Sequence, residues 1–138
     1  MADISDASEP ETHRICEGLR AFNRAAVGSI ESTPIQLAAR DEDGELIGGI
    51  VADVLLGWLE IHVLWLREDA RAHGHGAALL QACERRAIAL GAHSARLDTF
   101  DWQAEAFYRR HGYERFAVLD RYPDAHTRVF MRKSLAQN

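Results

Sequence analysis

A glycine-rich segment constrains this chain more than any other feature: Arg71-Ala72-His73-Gly74-His75-Gly76. The apolar stretch before it, Trp58 to Leu66, is typical of a β-strand, and the stretch after it, Gly76 to Leu90, repeats apolar residues at helical spacing. The first backbone N–H groups of a helix lack partners within the helix, so together with the helix dipole they favour an anion. Because Gly74 and Gly76 have no Cβ, a phosphate could approach the backbone closely. The segment therefore predicts a site for a phosphate-bearing ligand.

Composition limits the classes of partner. With 138 residues, of which 47% are apolar and 27% charged, the chain is expected to fold as one domain over residues 1–138. Its 21 acidic residues outnumber its 16 lysines and arginines, giving a formal net charge of -5. Binders of nucleic acids or anionic membranes usually carry a basic face, so neither partner is expected. The phosphates must then be held mainly by backbone amides and a few local cations.

Cysteine and histidine positions give no sign of a metal or disulfide site. Cys16 and Cys83 lack metal or redox spacing, and both lie on apolar faces of predicted helices, so buried free thiols are expected. His73 and His75 lie within the glycine turn without an accompanying set of carboxylates or thiols, so no metal is expected there. The N-terminus has no signal-peptide pattern and no apolar run reaches membrane-spanning length, which favours a cytoplasmic location.

The first half of the chain predicts one helix followed by three antiparallel strands. Ser8-Glu9-Pro10-Glu11 has the form of a capping box, and an amphipathic helix follows it as far as Gly28. Asp43-Gly44 is a hairpin signal between predicted strands, and Gly48-Gly49 indicates a bulge or a close approach by another group. The predicted strands are Ile35 to Arg40, Leu46 to Leu55 and Trp58 to Leu66.

The second half predicts two strand–helix connections and a closing pair of strands. A helix separates Trp58 to Leu66 from the next strand, so these two strands are expected to run parallel. Asp101 is positioned to cap a following helix. The remaining predicted elements are the strand Ala95 to Phe100, the helix Trp102 to His111, and the strands Tyr113 to Leu119 and Thr127 to Lys133. The predicted fold is α/β, with a mixed and mostly antiparallel central sheet flanked by helices.

Two motifs together resemble those of the GNAT superfamily of acyl-CoA-dependent N-acyltransferases. The run Arg71 to Gly76 is similar to the family's [R/Q]-x-x-G-x-[G/A] signature between a strand and a helix. The run Phe107 to Tyr113 is similar to its F-Y-x-x-x-G-[F/Y] motif. The order of predicted elements also fits, so the resemblance covers nearly the whole chain and implies a single-domain GNAT-like fold.

The resemblance implies roles for individual residues. Amides in the glycine turn would hold the pyrophosphate of CoA, the pantetheine arm would follow the strand Trp58 to Leu66, and the N–H of Leu66 would polarise the thioester carbonyl. Tyr108 falls at the position of the general acid, and Glu60 at that of a general base. Asp101 stands where the family often has Asn, and Gln103 could supply the missing amide. The cofactor-binding residues are then Leu64, Leu66, Arg71, Ala72, His73, Gly74, His75, Gly76, Ala77 and Gln103.

The chemistry can also be argued without the family. Acetyl transfer from a thioester to an amine needs a neutral amine, a polarised carbonyl and a proton for the departing sulfur. Direct attack within a ternary complex requires no nucleophilic residue, in agreement with cysteines that lack an evident histidine partner. Under strict alternation, His62 shares a face with Glu60 and is the rival base, with water as a third possibility.

These observations predict an N-acetyltransferase that uses acetyl-CoA as cosubstrate and acts on the primary amine of a small molecule. Two alternatives stay open: acetylation of a lysine or N-terminal amine of a protein or peptide, and a non-catalytic CoA-binding sensor or interaction module. A homodimer is expected by analogy with the family. The acceptor itself and the acyl-chain preference are not defined by the sequence.

Overall fold

The computed structural model describes residues 1–135 and divides into two compact units, Met1–Glu31 and a second unit that begins at Ser32. The single domain over residues 1–138 stays a prediction, and its last three residues lie outside the described residues. None of the described helices is long and apolar enough to span a lipid bilayer.

The first unit contains one helix, α1, over Glu9–Val27. The predicted capping box is confirmed, since the hydroxyl of Ser8 accepts from the N–H of Glu11 and the Glu11 carboxylate accepts from the N–H of Ser8. The helix buries none of its residues, so the prediction of a buried thiol is wrong for Cys16, which is exposed. An amphipathic pattern therefore identified the helix correctly but did not establish that its apolar face is covered.

The second unit is built on a six-stranded mixed sheet with the order β1-β2-β3-β4-β6-β5. All neighbouring strands run antiparallel except β3 and β4, which run parallel as predicted. The strands are β1 Thr33–Arg40, β2 Leu46–Leu55, β3 Trp58–Leu66, β4 Ser94–Phe100, β5 Glu114–Arg121 and β6 Asp124–Ser134, and the helices are α2 His75–Ala89, α3 Glu105–Arg110 and a 3-10 turn, Glu68–Ala70. The predicted α/β fold with a mixed sheet is confirmed.

The helix after β4 is shorter than predicted. It begins at Glu105 with Ala104 at its N-cap, instead of running from Trp102 with Asp101 as the cap. The carboxylate of Asp101 accepts from the backbone N–H of Thr127 at 2.9 Å and lies 2.9 Å from the ring of His126. Its hydrogen-bonding capacity is therefore used on the start of β6, which is a tertiary contact that helix-capping rules do not include.

The core lies between the sheet and α2. One face of this helix packs apolar residues against β1, β2 and β3, as its periodicity predicted. Cys83 is fully buried within it, so the prediction of a buried free thiol is confirmed for this residue. Burial raises the pKa of the Cys83 thiol to about 11, which keeps it protonated at neutral pH. The buried residues of α2 are Gly76, Leu79, Leu80, Cys83 and Ala87.

A β-bulge at His62 divides β3 into two halves. Ile61 pairs with Ala52 and Val63 with Val51, so His62 has no partner on β2. The extra residue reverses the alternation of side chains beyond it. Leu64 therefore faces the core opposite Ile50, just as Ile61 does opposite Ala52.

The parallel pairing of β3 with β4 stops at the same place. Its last pair joins Ile61 and Leu97, although β3 continues to Leu66 and β4 to Phe100. Beyond this pair β4 remains bonded to β6, while β3 remains bonded to β2. The two halves of the sheet consequently separate, leaving a cleft that opens toward the glycine turn.

Gly48 lets β2 approach the cleft-lining half of β3. A Cβ at this position would lie 2.6 Å from the carbonyl oxygen of Trp65 and would also meet the side chain of Leu66, which confirms the predicted close approach.

We expect Gly48→Ala to lower the free energy of unfolding by roughly 1–3 kcal/mol, because the backbone of β3 must shift to admit the methyl group. Urea unfolding followed by circular dichroism measures this change. Gly18→Ala is the control, because a Cβ at Gly18 would meet no atom within 4 Å. Equal stability of the Gly48 variant and the native protein would contradict the close packing.

Candidate active site

The cleft between β3 and β4 has a volume of about 950 Å³. This is at the upper end of the range of about 300–1,000 Å³ that is usual for ligand sites. Its walls combine strand, turn and helix residues. They come from β3 (His62 to Leu66), from the glycine turn (Arg71, Ala72, Gly74, Gly76 and Ala77), from β4 (Asp98 and Thr99) and from the segment around α3 (Trp102, Gln103, Ala104, Phe107, Tyr108, Arg110 and His111).

The β3 side of the cleft presents unpaired backbone groups. The N–H of Arg67 donates to the carbonyl of Ile47 on β2 at 2.8 Å. Because successive backbone N–H groups of a strand alternate in direction, the N–H groups of Leu66 and Leu64 point away from β2, toward the cleft. Here β4 no longer pairs with β3. The cleft therefore offers an edge to which an extended amide chain can hydrogen-bond.

The glycine turn lies at one end of the cleft and presents a set of free amide donors. Ala72 and Gly74 have φ values of 64° and 83°, and this left-handed conformation turns the backbone sharply before α2. Within residues 1–135, the N–H groups of residues 72–77 donate to no backbone or side-chain acceptor. Arg71 fastens the turn to β3, since its Nε donates to the carbonyl of Leu66 at 3.1 Å. This geometry can hold an anion.

Most of the predicted cofactor-binding residues lie together on the cleft surface. Only the side chains of His73 and His75 are absent from the lining, although their backbone N–H groups belong to the turn. The lining includes Leu64, Leu66, Arg71, Ala72, Gly74, Gly76, Ala77 and Gln103.

Gln103 has a fixed orientation at the end of β4. Its side-chain oxygen accepts from the N–H of Phe100 at 2.8 Å and from the hydroxyl of Thr99 at 3.1 Å. Its amide N–H₂ group remains available as a donor on the cleft surface.

Tyr108 is 7% exposed and lines the cleft. No group within residues 1–135 forms a hydrogen bond with its hydroxyl. Burial raises the pKa of Tyr108 to about 12, so the phenol keeps its proton at neutral and mildly alkaline pH. The neighbouring Tyr113 differs, because its hydroxyl donates to the Glu84 carboxylate at 2.7 Å. Tyr108 is therefore the buried phenol that has a proton to offer to a bound ligand.

The two candidate bases have different surroundings. Glu60 is outside the cleft lining, and its carboxylate accepts from Arg96 Nη2 at 2.7 Å. His62 lies on the cleft surface, and its Nε2 is 3.1 Å from the carboxylate of Asp53. The predicted common face is consistent with the 3.9 Å between His62 Nδ1 and Glu60 Oε1.

The cleft also contains residues that were not predicted as site residues. Phe107, Arg110 and His111 line it from α3. Arg110 makes no ion pair within residues 1–135, so it is a cation available to a ligand. Helical spacing from Phe107 of the motif could have identified Arg110 and His111, because side chains three or four residues apart share a face. Among the described residues, no three or more His, Cys, Asp or Glu side chains are grouped so that they could hold a metal ion.

Comparison with known proteins decides the family. The sequence profile of the Acetyltransferase (GNAT) family matches residues 2–113. The chain belongs to the GNAT family of acetyltransferases. It is 36% identical over 121 residues to blasticidin-S acetyltransferase of Streptomyces morookaense, which covers 85% of this chain and 88% of the relative. Members of this family use acetyl-CoA as the acetyl donor.

Solved structures show the same fold. An acetyltransferase from Bacillus cereus superimposes with a TM-score of 0.89 at 28% identity, covering 97% of this chain and 98% of that chain. A Bacillus anthracis protein in complex with acetyl coenzyme A has a TM-score of 0.69 at 16% identity, covering 75% of this chain and 64% of that chain. The fold predicted from the two motifs is thus confirmed for this GNAT acetyltransferase.

We expect Gly74→Val to weaken acetyl-CoA binding by roughly tenfold or more, the equivalent of losing one hydrogen bond to a charged group. The new side chain would project from a glycine of the cleft wall into open space and keep the phosphates from the amides. Calorimetric titration measures the affinity.

Gly91→Val is the matched control. Gly91 also has a left-handed φ, 94°, and open space around its missing Cβ, but it follows the far end of α2. Both variants therefore carry similar backbone strain, and only the Gly74 variant should lose affinity. Unchanged binding by a folded Gly74 variant would show that the turn does not hold the phosphates.

Proposed function

We propose that this GNAT enzyme transfers the acetyl group of acetyl-CoA directly to a primary amine of a small cationic molecule, within a ternary complex. The observation that carries the proposal is the cleft itself. It joins an unpaired strand edge, a cluster of free amides and a protonated phenol along one continuous surface. These are the groups that an extended amide, a pyrophosphate and a departing thiolate require.

The cosubstrate would lie along β3. Its pantetheine amides would hydrogen-bond to the backbone edge at Leu66, as an added strand would. Its pyrophosphate would accept from the N–H groups of residues 72–77, with the positive charge of Arg110 nearby on the cleft surface. Binding of the phosphates mainly by backbone amides agrees with the net negative charge of the chain, because amides bind an anion without adding positive side chains.

The reacting thioester would lie between Leu64 and Tyr108, further along the strand edge than the pantetheine amide at Leu66. The N–H of Leu64, in place of that of Leu66 to which the resemblance points, would stabilise the negative charge that develops on the carbonyl oxygen during attack. The hydroxyl of Tyr108 would give its proton to the sulfur as the carbon–sulfur bond breaks. Because no covalent acetyl-enzyme forms, neither the buried Cys83 nor the exposed Cys16 takes part.

The acceptor would approach from the His62 end of the cleft. Three carboxylates lie near this end, on Asp53, Glu60 and Asp98, and those of Glu60 and Asp98 are each bound to an arginine. Asp53 has no lysine or arginine partner within residues 1–135, so it leaves negative charge for an ammonium group. Blasticidin-S acetyltransferase is a relative at 36% identity, which makes blasticidin S the first acceptor to test.

We expect the purified protein to release CoA thiol from acetyl-CoA in the presence of blasticidin S, with one acetylated product formed per thiol. A thiol-reactive dye follows the rate, and mass spectrometry identifies the product. Peptides with free lysine or N-terminal amines serve as competing acceptors. Exclusive acetylation of peptides would refute a small-molecule acceptor, and tight acetyl-CoA binding without transfer to either class would favour a sensor.

We expect Tyr108→Phe to lower kcat by roughly 100-fold, within the usual range for loss of a general acid, while the affinity for acetyl-CoA changes little. Steady-state kinetics and calorimetry separate the two effects. Tyr113→Phe is the matched control, because it removes a second buried phenol whose hydroxyl is bound to Glu84 outside the cleft. If both variants retain full turnover, Tyr108 is not the acid.

The homodimer stays a prediction, and two exposed apolar surfaces support it. Helix α1 exposes Ile15, Leu19 and Phe22. The edge strand β5 exposes Phe116 and Val118. Contiguous apolar surface of this kind is typical of association sites.

A further inference from the structure

We propose that His62 is the general base of the acetyl transfer and that Asp53 is its positioning residue. This inference rests on the proposed function, because it names the group that takes the proton from the acceptor amine. It assigns the base to the bulge of β3 in place of Glu60.

The bulge places His62 on the surface of the cleft. His62 is the extra residue of β3, and it lies one position beyond the last residue that pairs with β4. Its side chain is 45% exposed and lines the cleft. An acceptor amine that enters the cleft can therefore reach this imidazole, whereas Glu60 lies beside the paired part of the two strands and is outside the cleft lining.

Asp53 fixes the tautomer of His62. Its carboxylate can only accept hydrogen bonds, so the ring nitrogen 3.1 Å away, Nε2, must carry the proton and donate. The lone pair then resides on Nδ1, so this nitrogen is the one that can take up a proton. Ser32 holds the other carboxylate oxygen, since its hydroxyl donates to Asp53 Oδ2 at 2.5 Å. Both oxygens of Asp53 are thus fixed, and the imidazole is held in one orientation.

Nδ1 has no competing partner within the described residues. The nearest carboxylate oxygen, Oε1 of Glu60, is 3.9 Å away, which is too far for a hydrogen bond. The carboxylate of Glu60 is instead bound to Arg96 at 2.7 Å, outside the cleft lining. When Nδ1 takes a proton, the imidazolium lies beside the carboxylates of Asp53 and Glu60, which stabilise its charge.

The proton balance of the reaction then closes. The acceptor ammonium gives one proton to Nδ1 of His62, and its freed lone pair forms a bond to the carbonyl carbon of the acetyl group. The carbon–sulfur bond breaks, its electron pair stays on sulfur, and the sulfur takes the proton of Tyr108. The nitrogen loses its second proton to the tyrosinate, which becomes neutral again. The proton on His62 leaves to solvent, so one proton is released for each acetyl group transferred.

Several charged groups surround His62. Asp53 approaches from β2 and Glu60 from β3, with Arg96 of β4 behind Glu60. Asp98 of β4 also lines the cleft, where Arg128 of β6 binds its carboxylate. Because a general base must be unprotonated to accept a proton, we expect kcat/KM to fall at acidic pH, which gives an acidic limb in its pH profile.

The kinetic experiment measures this profile with blasticidin S as acceptor. We expect His62→Gln to reduce kcat/KM by roughly 100-fold at neutral pH and to remove the part of the acidic limb that comes from the imidazole. The remaining rise with pH should follow the free amine of the acceptor alone, so the defect shrinks at higher pH. Asp53→Asn should shift the limb and cause a smaller loss, while acetyl-CoA affinity stays unchanged in both variants. Full activity and an intact limb in His62→Gln would overturn the proposal, as would loss of the limb in Glu60→Gln alone.

His93→Gln is the matched control. His93 is also exposed and also lies beside a side-chain oxygen, 2.9 Å from the hydroxyl of Ser94, but it packs against Gly57 at the opposite end of β3. It should leave the pH profile unchanged.

A second measurement does not depend on the acceptor. Nitrogen-15 NMR of the free protein should show His62 with its proton on Nε2, and Asp53→Asn should change the tautomer ratio. A proton on Nδ1 in the native protein would overturn the proposal. If the native enzyme binds acetyl-CoA but acetylates no amine, the proposed function fails, and the NMR result still decides whether Asp53 fixes the imidazole.

Discussion

The end of pairing between β3 and β4 is the constraint on which the rest of the second unit depends. Up to Ile61 and Leu97 the two strands form an ordinary parallel ladder; beyond that pair, each keeps only its outer neighbour. The backbone groups that face inward are left for a ligand. The cleft, the edge at Leu64 and Leu66, and the exposure of His62 all follow from this interruption, because a continuous ladder would occupy the same space.

The opposite wall of the cleft is held by a polar network rather than by strand pairing. Glu84 of α2 accepts from Tyr113 at 2.7 Å and from Lys133 of β6 at 2.8 Å, and is therefore satisfied in a part-buried setting. Tyr113 packs edge-on against Tyr108, with ring centroids 5.8 Å apart. The ring of Tyr108 thus packs against a second ring, whose hydroxyl is bound to α2. A short helix such as α3, with six residues, could not hold this position by its own hydrogen bonds.

Local patterns predicted the elements well, and tertiary contacts account for the differences. The bounds of β2 and β3 agree with the alternation and turn signals, and α2 begins at His75, one residue before the predicted start. The capping role of Asp101 was wrong because this carboxylate binds the start of β6, and Cys16 is exposed because α1 buries no residue. Neither outcome can be predicted from residues that are close in sequence to the position concerned.

The candidate site shows the same difference between local sequence patterns, which could be predicted, and tertiary contacts, which could not. Turn glycines and the phenylalanine–tyrosine pair carry local signals, so it could be predicted from the sequence that the glycine turn and Tyr108 would meet at one cleft. The pairing of Asp53 with His62 could not, because it needs the register of β2 against a bulged β3. Strict alternation would also have turned Leu64 and Leu66 to the face of Glu60. The bulge turns both side chains to the core and leaves their N–H groups on the cleft edge.

The bulge separates the packing of β3 from the one side chain that it places on the cleft surface. If position 62 were deleted, Val63 would follow Ile61 in an unbroken ladder, and Leu64 and Leu66 would still face the core. Only the imidazole would be lost from the cleft. If the residue stayed but the bulge were removed, every side chain from Val63 onward would exchange faces, and the exposed Trp65 would turn inward. The cleft wall therefore needs the bulge only because the extra residue is there, and it would survive the loss of both together.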